Sequence, residues 1–157
     1  MTTEEYRKTV VEPALKKEAE VEEFFKKLTA ASKPVKKKRK HEEDDLTIAV
    51  TNYCEGLKLA GKVIIFSHIP ASTYTKYWTV KKKNTAMGVR PGVPDMLIVF
   101  PNQVLFLELK REKGGVVSAY QQQWLDALSA TGKVVAKVAH GWAEAHKIID
   151  SIVSSPQ

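Results

Sequence analysis

Apolar residues recur along this chain at two spacings, and the change from one to the other marks where the backbone changes conformation. In the stretch 3–30, Val21, Phe24, Phe25 and Leu28 recur at helical spacing. Thr3, followed by Glu4 and Glu5, reads as a capped helix start. Pro13 is expected to break the stretch into two short helices. From Glu42 to Ala60 a second helix carries one apolar stripe: Leu46, Ala49, Val50, Tyr53, Leu57 and Ala60. Its four acids, Glu42 to Asp45, suit the positive end of the helix dipole, and Gly61 ends it. Lys62–His68 reads as a strand through Val63-Ile64-Ile65-Phe66. Residues 69–94 show no period and read as an irregular loop. Asp95–Phe100 and Val104–Lys110 are apolar at nearly every position, so they read as strands of a sheet covered on both faces. A short turn near Asn102 joins them. Ser118 caps a helix that runs to Ala130, with Trp124, Leu125 and Leu128 inward. Val134–Ala139 is a last strand and Trp142–Ile152 a last helix. The order is helix, three strands, helix, strand, helix, with no internal repeat.

Composition narrows the classes. With 157 residues the chain makes one domain with room for a small appendage, and it buries a core without disulfides. Cys54 is the single cysteine, which excludes an internal disulfide framework and a cysteine-based zinc site. No run of eighteen apolar residues occurs, so no membrane span or membrane partner is expected. The start is acidic and polar, unlike a secretory signal. The expectation is an intracellular, reducing location: cytoplasmic or nucleoid-associated, or nuclear in a eukaryotic host. Net charge is +7, concentrated in two places. Residues 33–40 carry six positive charges and no acid, and residues 71–94 carry Lys76, Lys81, Lys82, Lys83 and Arg90 with no acid. Such stretches suit a polyanion, although lysine runs also serve as plain solvated linkers.

The chemistry concentrates in Gly92-Val93-Pro94-Asp95 and, thirteen residues after the aspartate, Glu108-Leu109-Lys110. If Asn102 and Gln103 form the turn, Asp95 lies opposite Lys110 and Leu97 opposite Glu108. Side chains alternate along a strand, so Asp95, Glu108 and Lys110 then share one face. A three-residue turn would send Asp95 to the other face. Two carboxylates in an apolar setting cannot both stay ionised without a counter-charge. A hard divalent cation with oxygen ligands meets that need, and the Leu109 carbonyl offers a third oxygen. Such a cation neutralises charge on a phosphate and activates water. Lys110 would orient that water or stabilise the transition state. Taken singly, an Asp after Pro or a Glu-x-Lys is ordinary strand sequence. What sets these three apart is that they are the charged positions of an otherwise apolar hairpin. Glu42 and Glu43 flank the apolar stripe of the second helix, and either could reach the same site through water. Gln121 stands in the first turn of the helix after Ser118; it reads either as a site residue or as an exposed amide.

These residues resemble the VRR-NUC (virus-type replication-repair nuclease) domain, a branch of the PD-(D/E)XK superfamily. The resemblance rests on Gly88-Val89-Arg90-Pro91-Gly92-Val93-Pro94-Asp95, on Leu107-Glu108-Leu109-Lys110, on Ser118-Ala119-Tyr120-Gln121 with Trp124-Leu125, on Gly132, and on His140-Gly141-Trp142 with Ala145. Upstream, Glu43-Asp44-Asp45-Leu46 with Ala49-Val50 is similar to the family's first helix, which selects Glu43 over Glu42. The match runs from about 42 to 152. It implies a PD-(D/E)XK nuclease-like α/β core in the order αβββαβα, a mixed central sheet flanked by helices. Residues 42–157 would form the nuclease domain and residues 1–41 a helical extension with a basic linker, either packed on the domain or serving as a dimerisation arm. The resemblance further implies Mg²⁺, with Mn²⁺ able to substitute, held by Asp95, Glu108 and the Leu109 carbonyl and assisted by Glu43 through water. No small-molecule cofactor is implied. Lys110 would be the catalytic lysine, and Gln121 would complete the site. The chain departs from many members at Ile69-Pro70-Ala71, where they carry Ile-Pro-Asn.

On the substrate side, Lys81, Lys82, Lys83 and Arg90, with Tyr74, Tyr77 and Trp78 nearby, are expected to track phosphates and stack on an unpaired base. The leading expectation is a homodimeric, metal-dependent endonuclease for branched DNA of the Holliday-junction type, serving replication, recombination or repair. A flap endonuclease or nickase with the same site is the alternative among enzymes. A DNA-binding module without catalysis is the alternative outside them.

Overall fold

The computed structural model describes residues 4, 8, 12–31, 41–70 and 77–155. Helix α1 spans Glu12–Ala31 and α2 Glu42–Leu59; strand β1 is Ile65–His68; α3 is Trp78–Ala86; β2 is Met96–Val99 and β3 Val104–Lys110. Helix α4 (Ala119–Ala130), β4 (Val135–His140) and α5 (Gly141–Val153) complete the chain. The helix expected ahead of Pro13, the lysine run within 33–40, and Tyr74 and Lys76 lie mostly or wholly outside the described residues. Pro13 stands in the first turn of α1, where a missing backbone N–H costs nothing because first-turn N–H groups have no helical acceptor. Helix α1 lies against α2.

The sheet order is β1-β2-β3-β4. β1 and β2, and β2 and β3, pair antiparallel, whereas β3 and β4 run parallel. This is the mixed sheet flanked by helices that the motifs imply. Leu105, Leu107 and Leu109 alternate on one face of β3, beside Met96 and Ile98 of β2, and all five are buried. From α2, Leu46, Val50, Cys54 and Leu57 close over them, and from α5 Ala145, Ile149 and Ile152. Each such aliphatic side chain contributes about 1.5–3 kcal/mol on burial. A one-residue slip of β3 would expose the whole leucine row, so the face that turns inward is fixed.

Four expectations are corrected. The hairpin tip is Pro101-Asn102, not Asn102-Gln103: Phe100 N donates to Gln103 O at 2.8 Å. Val99 pairs with Val104 and Met96 with Leu107, so every partner is displaced by two residues. Proline suits the first corner of a turn, because its φ is preset and its absent N–H is not needed there. Second, β1 is shorter than the apolar run around it. Val63 is buried, but Ile64 and Ile65 are 57% and 58% exposed, because β1 is an edge strand with one neighbour. Third, residues 78–86 are helical rather than irregular. Helix α3 buries none of its residues, so it has no apolar stripe for a periodicity reading to find. Fourth, the sheet is not fully covered on both faces: Leu97, Val99, Val104 and Phe106, on the face away from the leucine row, are only half-buried.

Candidate active site on the open face of the sheet

A displacement of two residues leaves side-chain direction unchanged. The observed register, carried one residue beyond Met96–Leu107, sets Asp95 across from Glu108. Asp95, Glu108 and Lys110 therefore still share a face, the one opposite the leucine row. Glu108 is 1% exposed and Lys110 8%. The Lys110 ammonium lies 2.7 Å from Glu108 Oε1. Asp95 reaches across to β3, where its Oδ2 accepts the Leu109 N–H at 2.8 Å. In an extended strand the N–H and C=O of one residue leave by the same edge. The Leu109 carbonyl therefore also leaves β3 on the Asp95 side.

Gln121 belongs to the cluster. Ser118 caps α4 by accepting Gln121 N, and Gln121 Oε1 accepts Ser118 N at 2.8 Å, a reciprocal capping box. The amide oxygen is thereby committed, and the amide nitrogen donates to Glu108 Oε1. With Lys110 and Gln121 both on Oε1, the second oxygen, Oε2, is buried with no hydrogen-bond partner. An unpaired buried carboxylate oxygen is costly in a folded chain. Glu43, at the start of α2, aims at the same end of β3: its Oε1 lies 3.5 Å from Arg111 N, and its charge acts on Asp95.

Burial pushes the Glu108 carboxyl up to about 7; the Lys110 contact opposes the rise and the Asp95 charge adds to it. Asp95 is also raised, mainly by burial, against the lowering pull of the Leu109 N–H, Lys110 and His68. His68 is the residue the sequence reading missed. It ends β1, pairs with Met96, and its Nδ1 lies 2.9 Å from the Asp95 carbonyl. Its one signal was position, as the last residue of a strand bordering the Asp95 strand.

The loop that delivers Asp95 is clamped to α4. Gly92 has φ +87°, and a Cβ there would fall 2.5 Å from the Tyr120 carbonyl carbon and 2.7 Å from Gln121 N. Only glycine permits that approach. Trp124 Nε1 donates to Pro91 O at 3.0 Å in the same clamp. Lys81, Lys82 and Lys83 lie exposed on α3, with Lys82 stacked 5.4 Å from the Trp78 ring centre. Val89 N donates to Asn84 O at 2.9 Å, and Arg90 Nη1 to Thr85 O at 3.4 Å. The lysines and Arg90 thus connect to the carboxylates through the loop 87–94.

Among the described residues, no group of three or more His, Cys, Asp or Glu side chains gathers into a metal cage. The donors here are two carboxylates and one backbone carbonyl. That sparse, all-oxygen set fits Mg²⁺ or Mn²⁺, which keep several waters of their own. The orphaned Glu108 Oε2 and the two raised carboxyls are compatible with it, since a bound cation would offset the burial of both charges.

No known family's sequence profile matches the chain, and no curated protein matches it. Among solved structures, the fold is similar to that of a VRR_NUC domain protein, with a TM-score of 0.56 and 22% identity, over 71% of this chain and 87% of that chain. The chain has the VRR-NUC fold, as its motifs imply. No described helix is long and apolar enough to cross a membrane.

Proposed function

We propose that the chain is a Mg²⁺-dependent nuclease, with Mn²⁺ able to substitute, that hydrolyses phosphodiester bonds of branched DNA in the manner of a Holliday-junction resolvase. The observation that carries this reading is the Asp95–Glu108–Lys110 cluster, three charged groups on one face of a hairpin with one carboxylate oxygen left unpaired. Asp95, Glu108 and the Leu109 carbonyl are the groups that would hold the cation, and Glu43 would reach it through water. When bound, a divalent cation neutralises charge on the scissile phosphate and activates water for attack.

The chain's own residues do the rest. Gln121 and Lys110 hold Glu108 by Oε1, which leaves Oε2 as the oxygen that would serve a cation. The Leu109 N–H holds Asp95 in its rotamer. Lys110 places a compact ammonium where the non-bridging phosphate oxygens gather negative charge in the transition state, and burial strengthens that interaction by excluding water. Lys81, Lys82, Lys83 and Arg90 contact flanking phosphates. Paired incision of a four-way junction needs two such sites, which a two-fold homodimer supplies.

The test is cleavage of four-way junction, flap and linear duplex at matched salt by wild type and Lys110→Ala, with the oligomeric state followed by sedimentation. Lys110→Ala is expected to lose about 100-fold or more in cleavage while keeping DNA affinity. Equal cleavage of flap or linear DNA, or a monomer at working concentration, favours the flap endonuclease or nickase. Absence of cleavage by wild type with any divalent metal leaves a DNA-binding module.

A further inference from the structure

Next to the carboxylate cluster lies a groove of 350 Å³ lined by Arg90, Pro91, Tyr120, Gln123, Trp124 and Ala127. It has the size of a small-molecule site. Its two walls are the two elements that build the cluster: the loop ending at Asp95 and the first turns of α4. Tyr120 and Gln121 are neighbours on that helix. Gln121 turns inward to Glu108, whereas Tyr120 is 61% exposed at the groove.

The chemistry of the lining is specific. Trp124 has committed its indole N–H to Pro91 O at 3.0 Å, so what it brings to the groove is aromatic surface with no free donor. Tyr120 adds a second aromatic surface. Gln123 brings an exposed amide that both donates and accepts. Arg90 sets a guanidinium at the edge, continuous with the basic α3 through its contact with Thr85 O. Residues 77–94 contain no acid. Two flat aromatic surfaces, one hydrogen-bonding amide and a cation at the rim match a planar heterocycle joined to a phosphate.

We propose that this groove holds an unpaired nucleobase one or a few nucleotides from the scissile phosphate, with Arg90 on the adjoining phosphate. The inference rests on the nuclease reading and adds to it a preference for single-stranded character beside the cut, which a flap carries and a four-way junction offers only where the bases at its branch point open. Base–aromatic stacking tolerates any base, since each has a π-face. The groove therefore reads strand structure rather than sequence.

The test is DNA binding by the full chain in EDTA, so that no step depends on cleavage. The probes are a fluorescent duplex with a short single-stranded overhang, the same duplex made blunt, and the overhang duplex with abasic sites in place of its bases. Wild type is expected to prefer the overhang over the blunt duplex, with affinity falling about tenfold when the bases are removed. Tyr120→Ala should lose that preference and be insensitive to the abasic change, and Tyr120→Phe should retain both. Circular dichroism and sedimentation of each variant separate these effects from misfolding or altered assembly. Overhang and abasic DNA bound equally by wild type would overturn the proposal while leaving the nuclease reading intact. So would an unchanged preference in Tyr120→Ala, or a shift in its oligomeric state, which would make the groove a contact between copies. Failure to bind these three DNAs while still binding a four-way junction would overturn the proposal alone; failure to bind the junction as well would overturn both.

Discussion

Replacing Glu108 with glutamine keeps the shape of the side chain and removes its charge. In the folded chain burial raises this carboxyl from 4.5 to about 7. Between those two values the folded form keeps a proton that the unfolded form has released. Stability therefore falls as pH rises through that window, and the cost is complete above about 7. At about 1.4 kcal/mol per pH unit the rise amounts to about 3 kcal/mol; because Asp95 and Glu108 share the titration, about 1–2 kcal/mol of it belongs to Glu108 alone. Glu108→Gln has no such proton to lose. In EDTA at pH 8 it should melt higher than wild type by about 2–8 °C, and at pH 4.5 the two should melt together. Adding Mg²⁺ at pH 8 should raise the wild-type melting temperature and leave the variant unchanged. Thermal melts followed by circular dichroism at both pH values test this directly. If the variant melts below wild type at pH 8 without metal, the contacts to Lys110 and Gln121 outweigh desolvation, and the reasoning is wrong.

The other predictions concern the elements around the cluster. Gly92→Ala forces a Cβ against the α4 backbone at a left-handed φ. It should cost about 2–4 kcal/mol and lower the melting temperature by about 5–15 °C; a change below 1 °C would show that the loop is not clamped. The triple change of Lys81, Lys82 and Lys83 to Ala should weaken binding to all DNAs alike and reduce the slope of log affinity against log salt by about 2–3, near 0.9 per lost phosphate contact. An unaltered slope would remove α3 from the interface.

The sequence announced the cluster because its logic is one of parity. Asp95, Glu108 and Lys110 share a face for any even displacement, so an error of two residues in the hairpin tip left the site whole. The core helices were equally open to reading, since α2 and α5 carry apolar stripes that a buried sheet demands. Helix α3 was not, because a helix that buries nothing leaves no period. Nor was His68, whose proximity to Asp95 comes from pairing between strands far apart in the chain. The groove beside the site was hidden for the same reason: Pro91 and Trp124 meet only when the loop folds onto α4. Gln121 was read as a residue of the site, but its capping role and its grip on Glu108 required coordinates.

That double duty of Gln121 has a consequence for how variation at the position should be interpreted. A glutamate there would start α4 equally well, since capping boxes accept either residue, yet it would bring a third negative charge onto a carboxylate already crowded by Asp95. A screen scored by thermal resistance and one scored by turnover would therefore both reject glutamate at position 121, although the helix start alone would accept it. The glutamine is a spelling that helix formation leaves optional and that the adjacent strand makes obligatory.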